Sequence, residues 1–271
     1  MLRVLEVSRS GYFAWLRHQP GKWALENAVL LEKIEQIYKQ KHGIYGSPRI
    51  THELNKKGFQ CSRPRVARIM AKNNIAAKTK RKFKTTTNSK HDYSISPNLL
   101  KREFTVEKPN KVWTSDITYI RTQEGWLYLT VVLDLFNREI IGWSTSQQLT
   151  AETTTIRALE NACYQKNLPG GVLFHSDRGC QYACHEFRNI LRKNKMIQSM
   201  SGKGNCYDNA VNESFFHSLK TEWVYFENYE NKQDAGLSIF EYIEIFYNRE
   251  RTHSSLGYMS PIEFLEKKLA A

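Results

Sequence analysis

Three β-rich runs that follow one another closely constrain the fold of this chain more than any other feature. They are KVWTSDITYI from Lys111, WLYLTVVLDLF from Trp126 and EIIGWSTS from Glu139. The turn-forming sequence LFNRE connects the last two runs. Strands joined by short turns pair with their neighbours in an antiparallel sheet. The sequence therefore predicts a β-meander between residues 111 and 146.

The residues after the meander alternate between helical and extended patterns. Helical spacing in TAETTTIRALENACYQ, HEFRNILRKN and DNAVNESFFHSLKTE predicts three helices. GVLFHS predicts a short buried strand between the first and second of these helices. Strands mixed with helices in this order indicate an α/β sandwich.

Three carboxylates occupy places in this sandwich that can converge. Asp116 lies in the middle of the first strand, on the face that carries Thr114 and Thr118. Asp177 follows the end of the short strand, and Glu213 lies on the last helix. Intervals of 60 and then 35 residues separate the three. Because an unpaired charge among apolar residues is costly, each strand carboxylate needs a cation or another partner.

Divalent metal is the natural compensation for such a carboxylate cluster. Two Mg²⁺ or Mn²⁺ ions held roughly 4 Å apart can activate an attacking oxygen and stabilise the leaving oxygen of a phosphodiester. Glu213, His217 and Lys220 share one helical face, so we expect Lys220 to hold the nucleic acid backbone beside the metal ions.

Zinc is the competing metal, because LFHSDRGCQYACHEF contains four side chains that can bind it: His175, Cys180, Cys184 and His185. The CxxxC spacing without a second, well-separated ligand pair is not typical of a zinc site. We therefore expect Asp177 to bind a harder ion and His175 to lie directly behind that carboxylate.

Asp134 also closes an apolar strand and resembles a fourth candidate carboxylate. It begins DLFNRE, however, and an Asp in such a sequence usually bonds to the backbone of the turn. We expect a structural role for it.

The amino-terminal segment YGSPRITHELNKKGFQCSRPRVARIMAKNN contains two helix signals. Ser47 is predicted to be the N-cap of the first helix and Pro48 its first residue, with Gly58 after its end. Ser62 marks the start of the second helix. The second helix is expected to place Val66, Ile69 and Met70 inward and Arg63, Arg65, Arg68 and Lys72 outward. This is the pattern of a helix-turn-helix pair that binds DNA, although a solvated basic face alone gives the same pattern.

The charge of the chain favours DNA as its partner. Forty Lys and Arg face 27 Asp and Glu, which leaves a net charge of +13. Residues 61–91 contain ten Lys or Arg and no acidic residue. Their end, KTKRKFKTTTNSK, is predicted to lie along phosphates through Lys80, Arg81, Lys82 and Lys84. The expected organisation is a helical DNA-binding module over residues 1–80, a basic linker over 81–105 and a catalytic core over 106–271.

No sequence feature indicates a membrane. The longest apolar run, WLYLTVVLDLF, is about half of the roughly 20 residues that a spanning helix needs. The charged start MLRVLEVSRS lacks the apolar core of a signal peptide, and five scattered cysteines give no disulfide framework. We expect a cytoplasmic location.

Several ordered motifs resemble one known family. The segments VWTSDITYI, HSDRGCQY, GNCYDNAVNESFFHSLKTE and YNRERTHSSLGYMSP are similar to the catalytic core of DDE transposases of the insertion-sequence-three group, relatives of retroviral integrases. HGIYGSPRI and the basic helix pair resemble the family's upstream region. The resemblance implies a ribonuclease-H-like fold and a metal-binding triad of Asp116, Asp177 and Glu213. It also implies that Lys220 is the basic residue seven positions after the glutamate.

The reaction that the resemblance implies is strand cleavage by water, followed by transfer through a DNA 3′-hydroxyl, without ATP. The implied partners are terminal inverted repeats, target DNA and further copies of this chain, as a homodimer or higher oligomer on paired ends, in the bacterial cytosol and nucleoid. The elements that the chain resembles encode these motifs in a second reading frame, so the resemblance leaves open whether an upstream partner or fusion is needed. A repressor with an inactive core and a ribonuclease H are the alternative functions.

The closing motif leaves one role undecided. The basic loop that contains Arg249, Arg251 and His253 can either pack against the catalytic core or contact DNA.

The basic linker generates a prediction about salt dependence. Because Lys and Arg on phosphates release counterions, DNA affinity should fall steeply with salt. Neutralising Lys80, Arg81, Lys82 and Lys84 together should make the slope of log affinity against log salt shallower. An unchanged slope in a fluorescence titration would show that the linker does not contact the DNA.

Overall fold

A computed structural model of the chain describes residues 7–17, 19, 21–78, 93–167, 170–202 and 206–270. The chain divides into two compact units, Met1–Lys78 and Thr79–Ala271. The linker cations Lys80, Arg81, Lys82 and Lys84 lie outside the described residues.

The described part of the first unit consists of helices joined by turns and short irregular segments. Its helices are Arg9–Leu16 (α1), Lys22–Gln40 (α2), Ser47–Lys56 (α3) and Arg63–Lys72 (α4). The last three helices contact one another through buried apolar side chains, which include Ile34, Ile37, Ile50, Leu54, Val66 and Met70. Helix α3 begins one residue earlier than predicted, because Gly46 is its N-cap and Ser47 its first residue. The predicted helix pair α3–α4 is therefore present.

One cation of α4 is oriented differently from the prediction. Arg63, Arg68 and Lys72 are exposed as expected, but the side chain of Arg65 is only 17% exposed. Its guanidinium lies 4.5 Å from the ring centroid of Trp23 and donates to Glu26 at 3.0 Å and to Asn27 at 2.9 Å. The predicted outward orientation of Arg65 is wrong, since three side chains of α2 hold it against the unit's own surface.

The second unit is built on a five-stranded sheet in its described part, with the order β3-β2-β1-β4-β5. The strands are Val112–Thr122 (β1), Gly125–Asp134 (β2), Ile140–Ser146 (β3), Leu173–Ser176 (β4) and Ile197–Met200 (β5). β1, β2 and β3 are antiparallel, which confirms the predicted meander. β4 and β5 add in parallel on the other side of β1. The fifth strand was not predicted.

Helices cover the sheet and continue beyond it. They are Arg157–Lys166 (α5), Cys180–Ala183 (α6), His185–Lys193 (α7), Ala210–Glu222 (α8), Lys232–Phe240 (α9) and Pro261–Leu269 (α10). A π-helical turn, Glu152–Ile156, precedes α5, and a π-helical segment, Glu241–Glu250, continues α9. The three helices predicted from periodicity correspond to α5, α7 and α8. No helix in the described ranges is long and apolar enough to cross a bilayer.

The main core lies between the sheet and helices α5 and α7. It contains large, fully buried side chains from both layers, among them Trp113, Phe174, Tyr182 and Phe187. The close approach of α5 to β3 depends on Gly142. A Cβ atom at this position would lie 2.5 Å from the carbonyl oxygen of Ala158 and 2.6 Å from the backbone nitrogen of Ala162.

This close approach predicts opposite effects for two Gly→Ala substitutions. Gly142→Ala should lower the free energy of unfolding by about 1 to 3 kcal/mol, because backbone atoms must move to admit the methyl group. Gly236→Ala, inside α9 with nothing within 4 Å of the new Cβ, should raise it by about 0.5 to 1 kcal/mol. Urea unfolding of both variants measures the difference, and equal effects would contradict the packing described here.

Candidate active site

The first two candidate carboxylates are neighbours because of strand pairing. Parallel strands β1 and β4 pair in register up to Ser115 and Ser176. Asp116 and Asp177 each come one residue after that pair. The strand register therefore sets two acidic side chains side by side where β4 ends and β1 continues.

The charges of the neighbouring candidate residues act on the carboxyl group of Asp116. Burial raises the pKa of Asp116 well above its usual value, and the negative charges of Asp177 and Glu213 raise it further. The backbone N–H of Ile117, which donates to Asp116 at 2.8 Å, and the positive charge of Lys220 act in the opposite direction. The structure thus brings the predicted acidic residues and the predicted cation within electrostatic range of one another.

The turn after β4 fixes the carboxylate of Asp177. Its Oδ1 accepts a hydrogen bond from the N–H of Gly179 at 2.9 Å. A Cβ at Gly179 would lie 3.0 Å from that same oxygen, so the turn is tight. Beneath the two aspartates, the buried Tyr182 hydroxyl shares a 2.8 Å hydrogen bond with Ser115. Burial, together with the charges of Asp116 and Asp177, raises the pKa of Tyr182 and keeps its phenol neutral.

Helix α8 is attached to β1 by a residue that sequence reasoning missed. Asn212 is fully buried, and its Oδ1 accepts a hydrogen bond from the Thr114 hydroxyl at 3.2 Å. Its amide donates to Asn209 at 2.7 Å. Glu213, the next residue, is exposed, and partial burial of its carboxyl group raises its pKa. The sequence signal that could have identified this anchor is its spacing of four and seven residues from Phe216 and Leu219, which places a polar Asn on the apolar face of the helix.

Lys220 lies on α8 and faces the acidic residues. Its side chain is half-buried, and its ammonium group lies 5.7 Å from the ring centroid of Tyr119. Burial lowers the pKa of Lys220, and the charge of Asp116 acts against that effect. His217, one turn earlier, is exposed.

His175 connects β4 to β5. It is completely buried, and burial lowers its pKa to about 4, so the ring is neutral at physiological pH. The Ser199 hydroxyl accepts the backbone N–H groups of Leu99 and Leu100, which leaves its proton for Nδ1 of His175 at 2.9 Å. Ser201 lies 3.3 Å from Nε2. The expected position directly behind Asp177 remains a prediction.

Asp208 is a second residue that sequence reasoning missed. Burial acts to raise its pKa, but hydrogen bonds from Arg102 and from the N–H of Gly202, both 2.8 Å long, bring it below the usual value. Asn98 donates to the same carboxylate at 2.9 Å. Asp208 therefore links the turn that precedes α8 to Asn98 and Arg102, in the segment that precedes β1 in the chain.

The sequence of this chain matches known protein families and individual proteins. Residues 106–206 and 213–269 each match an integrase core domain model, and residues 24–83 match an HTH-like domain model. The chain is 42% identical over 267 residues to an insertion element IS600 uncharacterized 31 kDa protein of Shigella sonnei, covering 98% of both chains. It is 40% identical over 277 residues to the transposase InsF of insertion sequence IS3A of Escherichia coli, covering 100% of this chain and 94% of that protein.

The chain belongs to the DDE transposases of the insertion-sequence-three group. This confirms the predicted fold class, an integrase core of the ribonuclease-H-like type with an amino-terminal helix-turn-helix-like module. It also confirms the predicted function, which is DNA transposition through strand cleavage and strand transfer. None of these relatives favours the repressor alternative.

Solved structures of retroviral integrases are also similar to the transposase. The simian T-cell lymphotropic virus intasome in complex with PP2A regulatory subunit B56 gamma aligns with a TM-score of 0.49 and 15% identity, over 86% of this chain and 74% of that chain. The dimeric HTLV-2 integrase catalytic core domain in complex with magnesium aligns with a TM-score of 0.43 and 16% identity, over 58% and 97%.

Asp134 bonds to the turn of the transposase as predicted. It is 2% exposed, and its two carboxylate oxygens accept the N–H groups of Asn110 at 2.7 Å and Phe136 at 2.9 Å. Burial raises its pKa to about 6, and Glu139 adds to this shift. The predicted bond to the turn is therefore present, and the absence of a catalytic role stays a prediction.

The candidate ligands for zinc and for a harder ion are not gathered into a closed site among the described residues. Within the part of the chain that the structure describes, no three His, Cys, Asp or Glu side chains form a group that could hold a metal ion. The Cys184 thiol instead donates to the carbonyl oxygen of Gln181 at 3.4 Å. The same finding means that an ion bound by all of Asp116, Asp177 and Glu213 requires at least one of them to move closer.

The closing motif of the transposase packs against α8. Arg251 is 5% exposed and donates to both carboxylate oxygens of Glu222 at 2.6 Å. It also donates to Ser218 at 3.0 Å. Arg249 is exposed. Arg251 therefore takes the packing alternative and braces the helix that carries Glu213 and Lys220, whereas the role of Arg249 stays undecided.

The buried ion pair predicts a strong dependence of stability on Arg251. Arg251→Gln leaves Glu222 buried without its counter-ion and should lower the free energy of unfolding by about 3 to 5 kcal/mol. The double variant Arg251→Gln with Glu222→Gln should recover part of that loss, because no unpaired charge remains. Arg249→Gln is the exposed control and should change stability by less than about 0.5 kcal/mol. A double variant no more stable than Arg251→Gln alone, in urea unfolding, would contradict this account.

Proposed function

We propose that Asp116, Asp177 and Glu213 are the catalytic residues of this transposase and the ligands of its divalent metal. The observation that carries the proposal is the parallel register of β1 and β4, which sets Asp116 beside Asp177. Burial and the charges of Asp177 and Glu213 accordingly raise the pKa of Asp116. A structural ion pair would instead balance each acid with a base. Here the charges of two further carboxylates act on Asp116, and the positive charge of Lys220 acts against them.

The donor set fits Mg²⁺ or Mn²⁺, since carboxylate oxygens are the ligands that these ions prefer. When bound, two such ions would supply activation of the attacking oxygen and charge stabilisation of the leaving oxygen. Asp116 and Asp177 are held in place by the strand register and by their bonds to backbone N–H groups. Glu213 is exposed at the first turn of α8, and we propose that it moves toward Asp116 when metal binds.

The side chains around the carboxylates have supporting roles in this proposal. Lys220 holds a DNA phosphate beside Asp116 through its ammonium group. His217 lies on the same helix and helps to position Glu213. His175 stays neutral and holds β4, whose end carries Asp177, against β5.

The remaining cations are proposed to bind DNA along the rest of the chain. Arg63 and Arg68, on α4 of the helix pair, contact DNA phosphates. In the linker region, the cations that contact the DNA backbone are Lys80, Arg81, Lys82 and Lys84. Arg65 takes no part in this proposal. The organisation is a module over residues 1–80, a linker over 81–105 and a core over 106–271. The proposed ligands are terminal inverted repeats and target DNA, bound by a dimer or higher oligomer in the bacterial cytosol.

The catalytic assignment predicts the behaviour of three near-isosteric variants. Asp116→Asn, Asp177→Asn and Glu213→Gln should each abolish cleavage and strand transfer, because an amide loses the charge that holds the metal ion. DNA binding should survive in all three, since affinity comes mainly from Lys and Arg on phosphates. Cleavage of a labelled duplex that carries the element's own end, with Mn²⁺, measures the first effect, and a binding assay on the same preparations measures the second.

Asp134→Asn is the matched control for this series. One of the two backbone N–H groups would then face an amide NH₂, which should cost about 1 to 3 kcal/mol of stability. Cleavage should persist in the folded protein. A Glu213→Gln variant that cuts normally, or a folded Asp134→Asn variant that does not cut, would mean that the third carboxylate is wrongly assigned.

A further inference from the structure

The hairpin of β1 and β2 presents an aromatic face that the catalytic assignment does not use. Tyr119 pairs with Tyr128 and Arg121 pairs with Trp126 in the antiparallel register. Because directly opposite residues share a face, and so do residues two apart, these four side chains lie together on one side of the hairpin. We call them the hairpin face.

The hairpin face is not part of the protein core. The neighbouring residues Ile120 and Thr122, which point to the other side of β1, are buried, whereas Arg121 is exposed and Trp126 is 46% exposed. The Tyr119 ring lies 5.4 Å from the Trp126 ring and 6.3 Å from the Tyr128 ring, both with edge-on geometry. Three aromatic rings thus pack into a fixed cluster that remains open to solvent.

Two cations lie on these rings. The guanidinium of Arg121 is 6.0 Å from the ring centroid of Trp126, and the ammonium of Lys220 is 5.7 Å from that of Tyr119. The acidic residue of the hairpin turn, Glu124, accepts the backbone N–H of Lys232 at 3.0 Å. The hairpin face therefore combines flat π surfaces with positive charge, the combination that binds the bases and phosphates of an unpaired strand.

Lys220 connects the hairpin face to the carboxylate cluster. Tyr119 follows Asp116 by three residues in β1, about 10 Å along the strand, and its side chain points to the opposite face. β4 pairs with β1 only up to Ser115, so β1 continues beyond β4 at this point. Lys220 interacts electrostatically with Asp116 while its ammonium group lies over Tyr119. A DNA strand whose phosphate is held by Lys220 would reach Tyr119 and then Trp126 within a few nucleotides.

We propose that the hairpin face binds unpaired nucleotides next to the bond that is cut, by stacking their bases on Trp126 and Tyr119. The proposal rests on the proposed catalytic role of Asp116. Unpaired rather than duplex DNA is the ligand, because a base exposes its π surface only when it is unstacked. A second protein copy fits the face less well, since the cations on its rings would have to be buried.

Equilibrium binding by the full chain, without divalent metal, tests this proposal. The probes are a fluorescein-labelled duplex that carries the element's own end, either fully paired or with a few unpaired thymidines at that end. Wild-type protein should bind the unpaired form about 10-fold more tightly, the size of one stacking contact. Trp126→Ala should remove the preference and leave affinity for the paired duplex unchanged. Trp126→Phe, which keeps a ring, and Tyr164→Ala, a control that is 92% exposed on α5, should keep the preference.

A photochemical cross-link gives a second measurement that needs no variant. With 5-bromouracil at the unpaired positions, mass spectrometry should find the DNA attached within residues 119–128. Three results would overturn the proposal: no preference in the wild type, an unchanged preference in Trp126→Ala, or attachment only outside this hairpin. Loss of a dimer in Trp126→Ala by sedimentation would also overturn it, by showing an interface between copies. Failure of the catalytic assignment is separate, because it appears as cleavage by Asp116→Asn and leaves base stacking unaffected.

Discussion

The parallel pairing of β1 with β4 is the interaction on which the rest of the site depends. It sets Asp116 and Asp177 one residue beyond the paired serines Ser115 and Ser176, where burial and the charge of Asp177 raise the pKa of Asp116. The pairing is stabilised by the core beneath it, in which Tyr182 lies under both carboxylates. The fold thus places carboxylates where their ionised forms are unfavourable, and a bound divalent cation would stabilise those forms.

Helix α8 is held in place by hydrogen bonds at both of its ends. Asn212 bonds to β1 at the start of the helix, and the bidentate pair of Glu222 with Arg251 braces its end. Glu213 and Lys220 lie between these bonds, so both are carried by a helix that is fixed at each end. Support of this kind would keep the proposed catalytic side chains near their productive positions.

Sequence reasoning succeeded where the signal was local and failed where it was not. The meander, the helices α5, α7 and α8 and the turn bonds of Asp134 follow from periodicity and turn chemistry within short windows. β5 was missed because its four residues, Ile197–Met200, do not form a continuous apolar run and its parallel partner β4 lies two helices earlier in the chain. Arg65 was expected to face outward because its partner Glu26 lies 39 residues away. Arg251 was left undecided because Glu222 lies 29 residues before it.

The central claim is that the three carboxylates form one divalent metal site, and Mn²⁺ binding followed by electron paramagnetic resonance tests it most directly. The account predicts that wild-type protein binds about two Mn²⁺ ions per chain. Asp116→Asn and Glu213→Gln should each bind fewer, and Asp134→Asn should match the wild type. Undiminished Mn²⁺ binding by Asp116→Asn, or one tightly held Zn²⁺ per chain that is lost on replacing Cys180 and Cys184 with serine, would contradict it.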